Sequence, residues 1–433
     1  MKSCHAIIYV VVALLGFSVV AVYSTDMEMF RVSKKVNDFT TQKDMNGEAY
    51  LDDSETVEGD GVVFEKKFLQ TNTVKQLAWI GIGALLLGVM AKTDYHHLQR
   101  LSIPILIVSS IFLVMVLIPG IGTKVYGARR WIRFGPALGF QPAEFAKLAI
   151  IIFLSSYMVK NQSEMGKFKR GFLIPLGIIA VIGLLILKEP DFGTMAFIIF
   201  LSLIMLVAGG VRIIFIFFTG ISAVPFIHKI LFDGGYKYDR LTTFVDPWKD
   251  PSGKGYQIIQ SWIALGSGGL TGLGIGNSKQ KLFYLPESSN DFIFTIIGEE
   301  FGFLGVMTII GLYLLLLWQG LKIVNATREG FGFFLAFGIT AMFGLQAAIN
   351  IGVVSGIIPT TGIPLPFVST GGSSLLISMI GIGILFNIAK QSEGVETAVS
   401  VAETPVKSDN LINKLLPIKI VYKLVSRVAH FSW

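Results

Sequence analysis

Long apolar runs constrain this chain more than any other feature. Ten segments are apolar enough to form membrane-spanning helices, each of which needs about 20 residues. They are 6–23, 75–91, 101–119, 143–159, 171–187, 192–209, 211–231, 292–318, 331–354 and 368–389. Of the 433 residues, only 15% are charged, against about 25% in a soluble domain. The sequence therefore predicts an all-α polytopic membrane protein with about ten transmembrane helices, although a cleaved signal peptide is an alternative for the first run.

Basic residues in the connecting segments predict the orientation. The loop 160–170 holds four basic residues and one acid, the loop 92–100 holds Lys92 and Arg100, and the tail after residue 391 is basic. Cytoplasmic loops carry the excess of Lys and Arg. We therefore expect a protein of the cytoplasmic (inner) membrane with both termini in the cytoplasm. Residues 1–390 form the transmembrane domain, and residues 391–433 form a cytoplasmic tail.

Two of the outward loops are long. The acidic segment 24–74 is predicted to be a flexible or accessory loop. The segment 232–291, between the seventh and eighth spans, is rich in glycine and contains aromatic residues that suit a membrane surface, among them Trp248, Tyr256, Trp262 and Tyr284. Within it, 256–265 is predicted to form a short amphipathic interfacial helix.

A basic cluster on the outer side breaks the usual charge rule. The loop 120–142 contains Lys124, Arg129, Arg130 and Arg133 and no acidic residue. Arginine forks match phosphate oxygens in pairs, so an anionic ligand at the outer surface is predicted. Anchoring to lipid headgroups is the alternative.

Ionisable side chains inside the predicted spans also indicate a polar site. Glu144 and Lys147 are three residues apart and share one helix face, so we expect a pair near the ligand, with a purely structural pair as the alternative. Glu299 and Glu300 are adjacent and cannot both face the same way. At least one is expected to have a partner such as a lysine, or to be protonated.

Two further outward segments contain candidate residues. Asp191, in a tight turn, is expected to cap the sixth span. The connection 355–374 has three prolines and four glycines, and such irregular backbone at membrane depth is predicted to line a cavity. Asn350 and Ser373 flank this connection as cavity-lining candidates, with helix packing as the alternative for Asn350.

Asp291 stands where the eighth span emerges on the outer side, and Glu287 and Lys281 precede it in the loop. A helix cap is the alternative role for Asp291. The single cysteine excludes an intramolecular disulfide, and no Cys/His cluster predicts a metal site. The basic excess is explained by topology rather than by nucleic-acid binding. A transferase acting on a lipid pyrophosphate and a flippase for that lipid remain equally compatible with these residues.

Several separate motifs together resemble one family. Gly-Ala-Arg-Arg-Trp-Ile stands at 127–132, Gln-Pro-Ala-Glu-Phe-Ala-Lys at 141–147, Glu-Pro-Asp-Phe-Gly-Thr at 189–194 and Gly-Gly-Ser-Ser at 371–374. Further matches occur at 246–257, 284–287, 291–294, 299–300 and 364–369. The chain resembles the SEDS family of FtsW, RodA and SpoVE from its first span to about residue 390, and is most similar to the division branch. The sequence departs from the family pattern in two places: at Ser289-Asn290, before the aspartate, and at Thr370, before the glycines.

The resemblance implies a peptidoglycan glycosyltransferase. Such an enzyme polymerises lipid II and releases undecaprenyl pyrophosphate, in septal wall synthesis with a class B penicillin-binding protein (an FtsI-like transpeptidase) and other division proteins. The family's essential aspartate corresponds to Asp291, its outward arginines to Arg129 and Arg130, and its Glu/Lys pair to Glu144 and Lys147. A divalent cation, Mg²⁺ or Mn²⁺, is compatible with a pyrophosphate, but the sequence offers no clear site for one. A lipid II flippase, a non-catalytic scaffold and a role in elongation are the alternatives.

Overall fold

The structure is a computed structural model. It describes residues 2–40, 72–125, 128–133, 139–232, 242–253, 255–278, 280 and 291–402.

Ten apolar helices correspond to the ten predicted spans. They are α1 (Lys2–Thr40), α2 (Asn72–Lys92), α4 (Ser102–Leu117), α5 (Pro142–Lys160), α6 (Ile174–Lys188), α7 (Phe192–Ala208), α8 (Ile213–Phe232), α10 (Ile293–Ala326), α11 (Gly330–Val354) and α12 (Gly372–Ala402). Seven contain a segment long and apolar enough to cross a membrane, and three have shorter apolar segments. The predicted polytopic helical fold is confirmed. Two short helices, α3 (His96–Arg100) and α9 (Tyr256–Ser267), lie between spans, and α9 covers the predicted helix at 256–265.

Two helices continue beyond their predicted ends. Helix α1 runs to Thr40 although the loop was predicted from residue 24, and α12 runs to Ala402 although the tail was predicted from residue 391. Proline, the residue that most strongly ends a helix, is missing from both 24–40 and 391–402. The apolar segments of these helices end at Asp26 and Ser392, close to the predicted ends of the first and last spans, so the additional turns are helix beyond the span.

The basic loop 120–142 contains a small sheet that the all-α prediction missed. Strands β1 (Gly122–Val125), β2 (Ala128–Arg133) and β3 (Gly139–Phe140) pair antiparallel in the order β1-β2-β3. Alternate residues of a strand face opposite sides. A bulge interrupts this alternation in β2: Trp131 pairs with Thr123 and Arg129 pairs with Lys124, so Arg130 is the extra residue of the strand.

Helix α5 lies at the centre of the bundle. Nearly all of its residues are buried, and it packs against α4, α7, α11 and α12. A helix buried on all sides must place its polar residues in the interior. This position of α5 puts Glu144 and Lys147 inside the protein, just below the sheet.

Helix α10 is broken in its N-terminal third, at Gly302. Gly302 has a φ of +65°, which favours glycine. The glycine-rich segment 268–276 lies against the break: the Leu273 amide donates to the Glu299 carbonyl at 2.9 Å, and the Phe303 amide donates to the Gly269 carbonyl at 2.9 Å. Irregular backbone at membrane depth is thus hydrogen-bonded by protein.

Candidate functional site

Asn350, in α11, links Asp291 to the connection 355–371 between α11 and α12. The Asn350 side-chain amide donates to the Asp291 carbonyl at 3.0 Å and to the Ile363 carbonyl at 2.9 Å. Asn350 is buried, so these bonds are shielded from water. The two bonds of Asn350 join the start of α10 to this connection.

Gly362 lies beside the Asp291 carboxylate. A Cβ at position 362 would lie 3.5 Å from Asp291 Oδ2, an ordinary contact distance, and the φ of Gly362 is +72°. The positive φ favours glycine, because other residues rarely adopt this conformation. Helix α10 begins at Ile293 with Phe292 at its N-cap position, so the Asp291 side chain stands just outside the helix, beside the connection.

The start of α7 packs against the same connection. A Cβ at Gly193 would come within 2.1 Å of the Thr361 carbonyl oxygen, so only glycine permits this approach. Asp191 caps the helix as predicted: Oδ1 accepts from the Thr194 amide at 3.1 Å, and Oδ2 accepts from the Thr194 hydroxyl at 3.0 Å. The connection therefore joins the Asp191 turn to Asp291.

Arg130 reaches the Asp191 turn from the sheet. Its Nε donates to the Glu189 carbonyl at 3.3 Å, and its terminal nitrogen donates to the Pro190 carbonyl. Its Nε lies 3.9 Å from Asp191 Oδ2. Of the two predicted arginines, Arg130 is therefore the one that contacts the turn near Asp291.

Glu189 is a buried carboxyl that sequence reasoning missed as a site residue. It is 0% exposed, and neither carboxylate oxygen has a hydrogen-bond partner among the described residues. Burial and the neighbouring charge of Asp191 raise the pKa of Glu189 to about 9, and Arg130 only partly opposes them. Glu189 therefore carries a proton at neutral pH. Its position in a polar Glu-Pro-Asp turn gave no sign of such burial.

The predicted pair in α5 is formed. Lys147 Nζ lies 2.7 Å from Glu144 Oε1, and both side chains are buried. The ammonium also stands 5.3 Å from the Phe197 ring centroid, and Glu144 Oε2 has no hydrogen-bond partner within the described parts of the chain. A ligand would need this pair to move before it could contact Lys147, so that contact stays a prediction.

Ser373 ties the sheet to α12. Its hydroxyl donates to the Gly139 carbonyl at 3.1 Å and accepts from the Gln141 amide at 3.0 Å. These bonds hold the junction of β3 and α5 against the start of α12. The role this supports is positioning of the α5 N-terminus, next to Glu144.

Glu299 and Glu300 face different neighbours, as predicted. Glu299 accepts from the Ser278 hydroxyl. Glu300 accepts from the Ser24 hydroxyl at 2.5 Å and from the Gly276 amide at 3.3 Å. They anchor α1 and the segment around 276–278 to α10.

Two predicted substrate-binding residues, Lys281 and Glu287, lie outside the described residues. In the described part of the chain, no three His, Cys, Asp or Glu side chains are grouped to hold a metal ion.

Comparisons with known proteins agree on one family. A family model described as cell cycle protein, covering FtsW, RodA and SpoVE, matches residues 58–394. A probable peptidoglycan glycosyltransferase FtsW of Geobacter sp. strain M18 is 41% identical over 74% of this chain and 87% of that protein. Stage V sporulation protein E of Bacillus subtilis strain 168 is 41% identical over 73% of this chain and 87% of that protein.

Solved structures share the fold. One, from a study of polymerisation and crosslinking by a peptidoglycan synthase complex, has a TM-score of 0.63 and 27% identity and covers 75% of this chain and 90% of that chain. The rod shape determining protein RodA of Thermus thermophilus has a TM-score of 0.57 and 22% identity and covers 89% of this chain and 96% of that chain. The predicted resemblance is confirmed: this multi-pass membrane protein belongs to the FtsW/RodA/SpoVE (SEDS) family.

Proposed function

We propose that this chain is a peptidoglycan glycosyltransferase that polymerises lipid II into glycan strands and releases undecaprenyl pyrophosphate. One observation carries the proposal: the Asp291 carboxylate stands beside Gly362, and the same connection meets the turn that Arg130 contacts. A carboxylate and a guanidinium on neighbouring walls suit a reaction that removes a proton at one point and gathers negative charge at another. The names of the relatives support the same activity.

Asp291 acts as the general base. Its carboxylate takes the proton from the 4-hydroxyl of the acceptor sugar, and that oxygen attacks the anomeric carbon of the donor. The bond from the anomeric carbon to the pyrophosphate oxygen breaks, and its electron pair leaves with the undecaprenyl pyrophosphate. Attack from the face opposite the leaving group inverts the anomeric centre. The Asn350 bond to the Asp291 carbonyl keeps the base in place during this step.

Arginine stabilises the charge that develops on the leaving pyrophosphate. Arg130 donates from one edge of its guanidinium to backbone carbonyls of the 189–190 turn. These bonds orient the group before the substrate binds. Arg129, next to Arg130 in β2, is assigned to the pyrophosphate or its lipid headgroup on its sequence position. Lys281 and Glu287 are assigned to substrate contacts on their sequence positions, and Glu144 and Lys147 to support of the site from below.

The chain works in the cytoplasmic membrane with its site on the extracytoplasmic face and both termini in the cytoplasm. Its partner is a class B penicillin-binding protein, an FtsI-like transpeptidase, in septal wall synthesis with other division proteins. The similarity to FtsW proteins supports septal synthesis, and the similarity to a structure from a peptidoglycan synthase complex supports a transpeptidase partner.

The test is a lipid II polymerisation assay on the purified full-length protein, with and without a class B penicillin-binding protein. Asp291→Asn keeps the side-chain shape and removes the base. We expect it to abolish polymer, a loss of at least about a hundredfold for a general base, with an unchanged melting temperature. Asp94→Asn, in the turn between α2 and α3, is the matched control and should retain activity.

Three outcomes would contradict the proposal. Polymer made by Asp291→Asn at the wild-type rate would remove Asp291 from the chemistry. Translocation of lipid II across vesicles without polymer, by the wild-type protein with its partner, would favour a flippase. Normal division by cells whose only copy carries Asp291→Asn would favour a scaffold.

A further inference from the structure

An apolar groove lies between α4 and α6, away from the site described above. The groove is open and has a volume of about 450 Å³. It is lined mainly by Leu106 of α4, by Leu173 just before α6, and by Gly177, Ile178, Val181 and Ile182 of α6. The one hydroxyl in its wall, that of Ser110, donates to the Leu106 carbonyl at 2.8 Å. The groove therefore offers contact to an alkyl chain and little hydrogen bonding.

Basic residues lie in the connection that directly precedes the groove residues of α6. The connection 160–170 contains Lys160, Lys167, Lys169 and Arg170, with Glu164 as its one acid. Glu164 accepts from Lys167 at 2.8 Å and lies 3.9 Å from Arg170. One carboxylate cannot neutralise four cations. The Lys167 and Arg170 side chains are also 67% and 64% exposed, so this end of the groove is open and positive.

The chain joins the positive end directly to the groove. Arg170 lies in a turn of π-helix, Phe168–Leu173, that runs straight into α6. It precedes the groove residue Leu173 by three positions in the same turn. The Tyr157 hydroxyl donates to the Arg170 carbonyl at 2.5 Å, which holds this turn against α5. Arg100, at the end of α3, stands just before α4 begins.

We propose that this groove binds an anionic phospholipid, with an acyl chain between α4 and α6 and the phosphate on Arg170 and Lys167. An apolar slot with a cationic end matches a molecule that has a hydrocarbon tail and a phosphate head, and an arginine fork binds phosphate oxygens in pairs. The charge rule assigns this end to the cytoplasm, so the lipid belongs to the inner leaflet. The proposal does not depend on the glycosyltransferase activity.

Gly177 provides a direct test of the groove. A Cβ at this position meets no atom within 4 Å. The side chain in Gly177→Leu can therefore enter the groove. Gly220 on α8 has the same open space, and Gly220→Leu is the matched control. The full-length protein is placed in phosphatidylcholine nanodiscs with increasing phosphatidylglycerol, and bound lipid is counted by native mass spectrometry after release.

The wild-type protein and Gly220→Leu should retain phosphatidylglycerol in preference to phosphatidylcholine. Gly177→Leu should weaken that retention about tenfold, equivalent to about 1.4 kcal/mol. Lys167→Gln combined with Arg170→Gln should remove the preference for the anionic lipid, and all variants should keep the wild-type melting temperature.

Equal retention of the two lipids by the wild-type protein would overturn the proposal. So would equal loss in Gly177→Leu and Gly220→Leu. A third pattern, in which the double Lys167/Arg170 variant loses phosphatidylglycerol but Gly177→Leu does not, would mean general attraction to an anionic surface or an acidic peptide, and would also overturn it.

Discussion

Charged side chains gather at both ends of the helix bundle, but the two groups differ in burial and in pairing. At the end that carries the small sheet, Glu189 is 0% exposed and Lys147 is 2% exposed. At the other end, the side chains of His96 and Glu329 are 39% and 42% exposed. A solvated, fully paired cluster costs little and holds loops together. A buried, incompletely paired one costs stability, and such features are expected where function requires them.

The solvated cluster joins three parts of the chain. His96 Nδ1 lies 2.6 Å from Asp94, and Nε2 lies 2.8 Å from Glu329. The Tyr95 hydroxyl donates to Glu329 at 2.5 Å, and the Gln391 amide donates to Asp94 at 3.1 Å. The α2–α3 turn, the α10–α11 turn and α12 thus meet through groups that are all satisfied.

Breaking the buried pair should have the largest effect on stability. Lys147→Met leaves the Glu144 carboxylate in the interior without its cation, and removing one partner of a buried pair typically costs about 3–5 kcal/mol. We expect a melting temperature well below that of the wild-type protein, measured in nanodiscs.

Combining Lys147→Met with Glu144→Gln removes both charges and should recover most of the loss. If the single and double variants melt at the same temperature, the pair matters for its packing rather than for its charge.

Glu189→Gln should stabilise the protein, and by more as the pH rises. The unfolded carboxyl ionises above its usual pKa of 4.5, whereas the folded one keeps its proton until about pH 9. Folding therefore becomes less favourable across this range, and levels off above it. Glutamine, which is always neutral, avoids a cost on the order of 3 kcal/mol at pH 7.

The control is Glu189→Asp, which keeps an ionisable group and should keep the pH slope. Melting temperatures at pH 5, 7 and 8.5 measure the effect. A wild-type slope identical to that of Glu189→Gln would mean that the carboxyl is ionised in the folded protein.

His96→Gln should have the smallest effect. Burial by itself lowers the pKa of His96, but its hydrogen bond to Asp94 and the charges of Glu329 and Asp94 outweigh burial and raise it above 6.5. The charged form thus stabilises the fold fully below pH 6.5, and this contribution disappears as the pH rises through the folded pKa. For a solvated pair the loss is at most about 1 kcal/mol.

The measurement is the difference in melting temperature between wild type and His96→Gln at pH 5.5 and pH 8.5. A difference that is larger at pH 8.5 would contradict this reading of the cluster.

The spans, the family and the Glu144–Lys147 pair could be predicted because their signals are local. Apolar runs of helical length, short motifs and an i, i+3 spacing are all visible in a single stretch of chain. Asp191 as a cap belongs to the same class, since its partner Thr194 is three residues away. The small sheet around Arg130 was missed because its strands are short and lie in a polar, basic loop.

Contacts between distant segments could not be predicted. Gly193 is a glycine because the Thr361 carbonyl approaches it, and nothing within 189–194 indicates that neighbour. Asn350 was identified as an interior residue, but its bonds to Asp291 and Ile363 depend on how α10, α11 and the connection meet.

The sequence by itself determined a ten-span membrane protein of the SEDS family, because the thickness of a bilayer and the need to satisfy backbone polar groups leave few choices for such apolar runs. Only the tertiary structure decided which charged groups are buried and what they contact. Burial depends on packing between helices far apart in the chain. This packing leaves the Glu189 carboxylate without a hydrogen-bond partner among the described residues and brings Arg130 to the Asp191 turn.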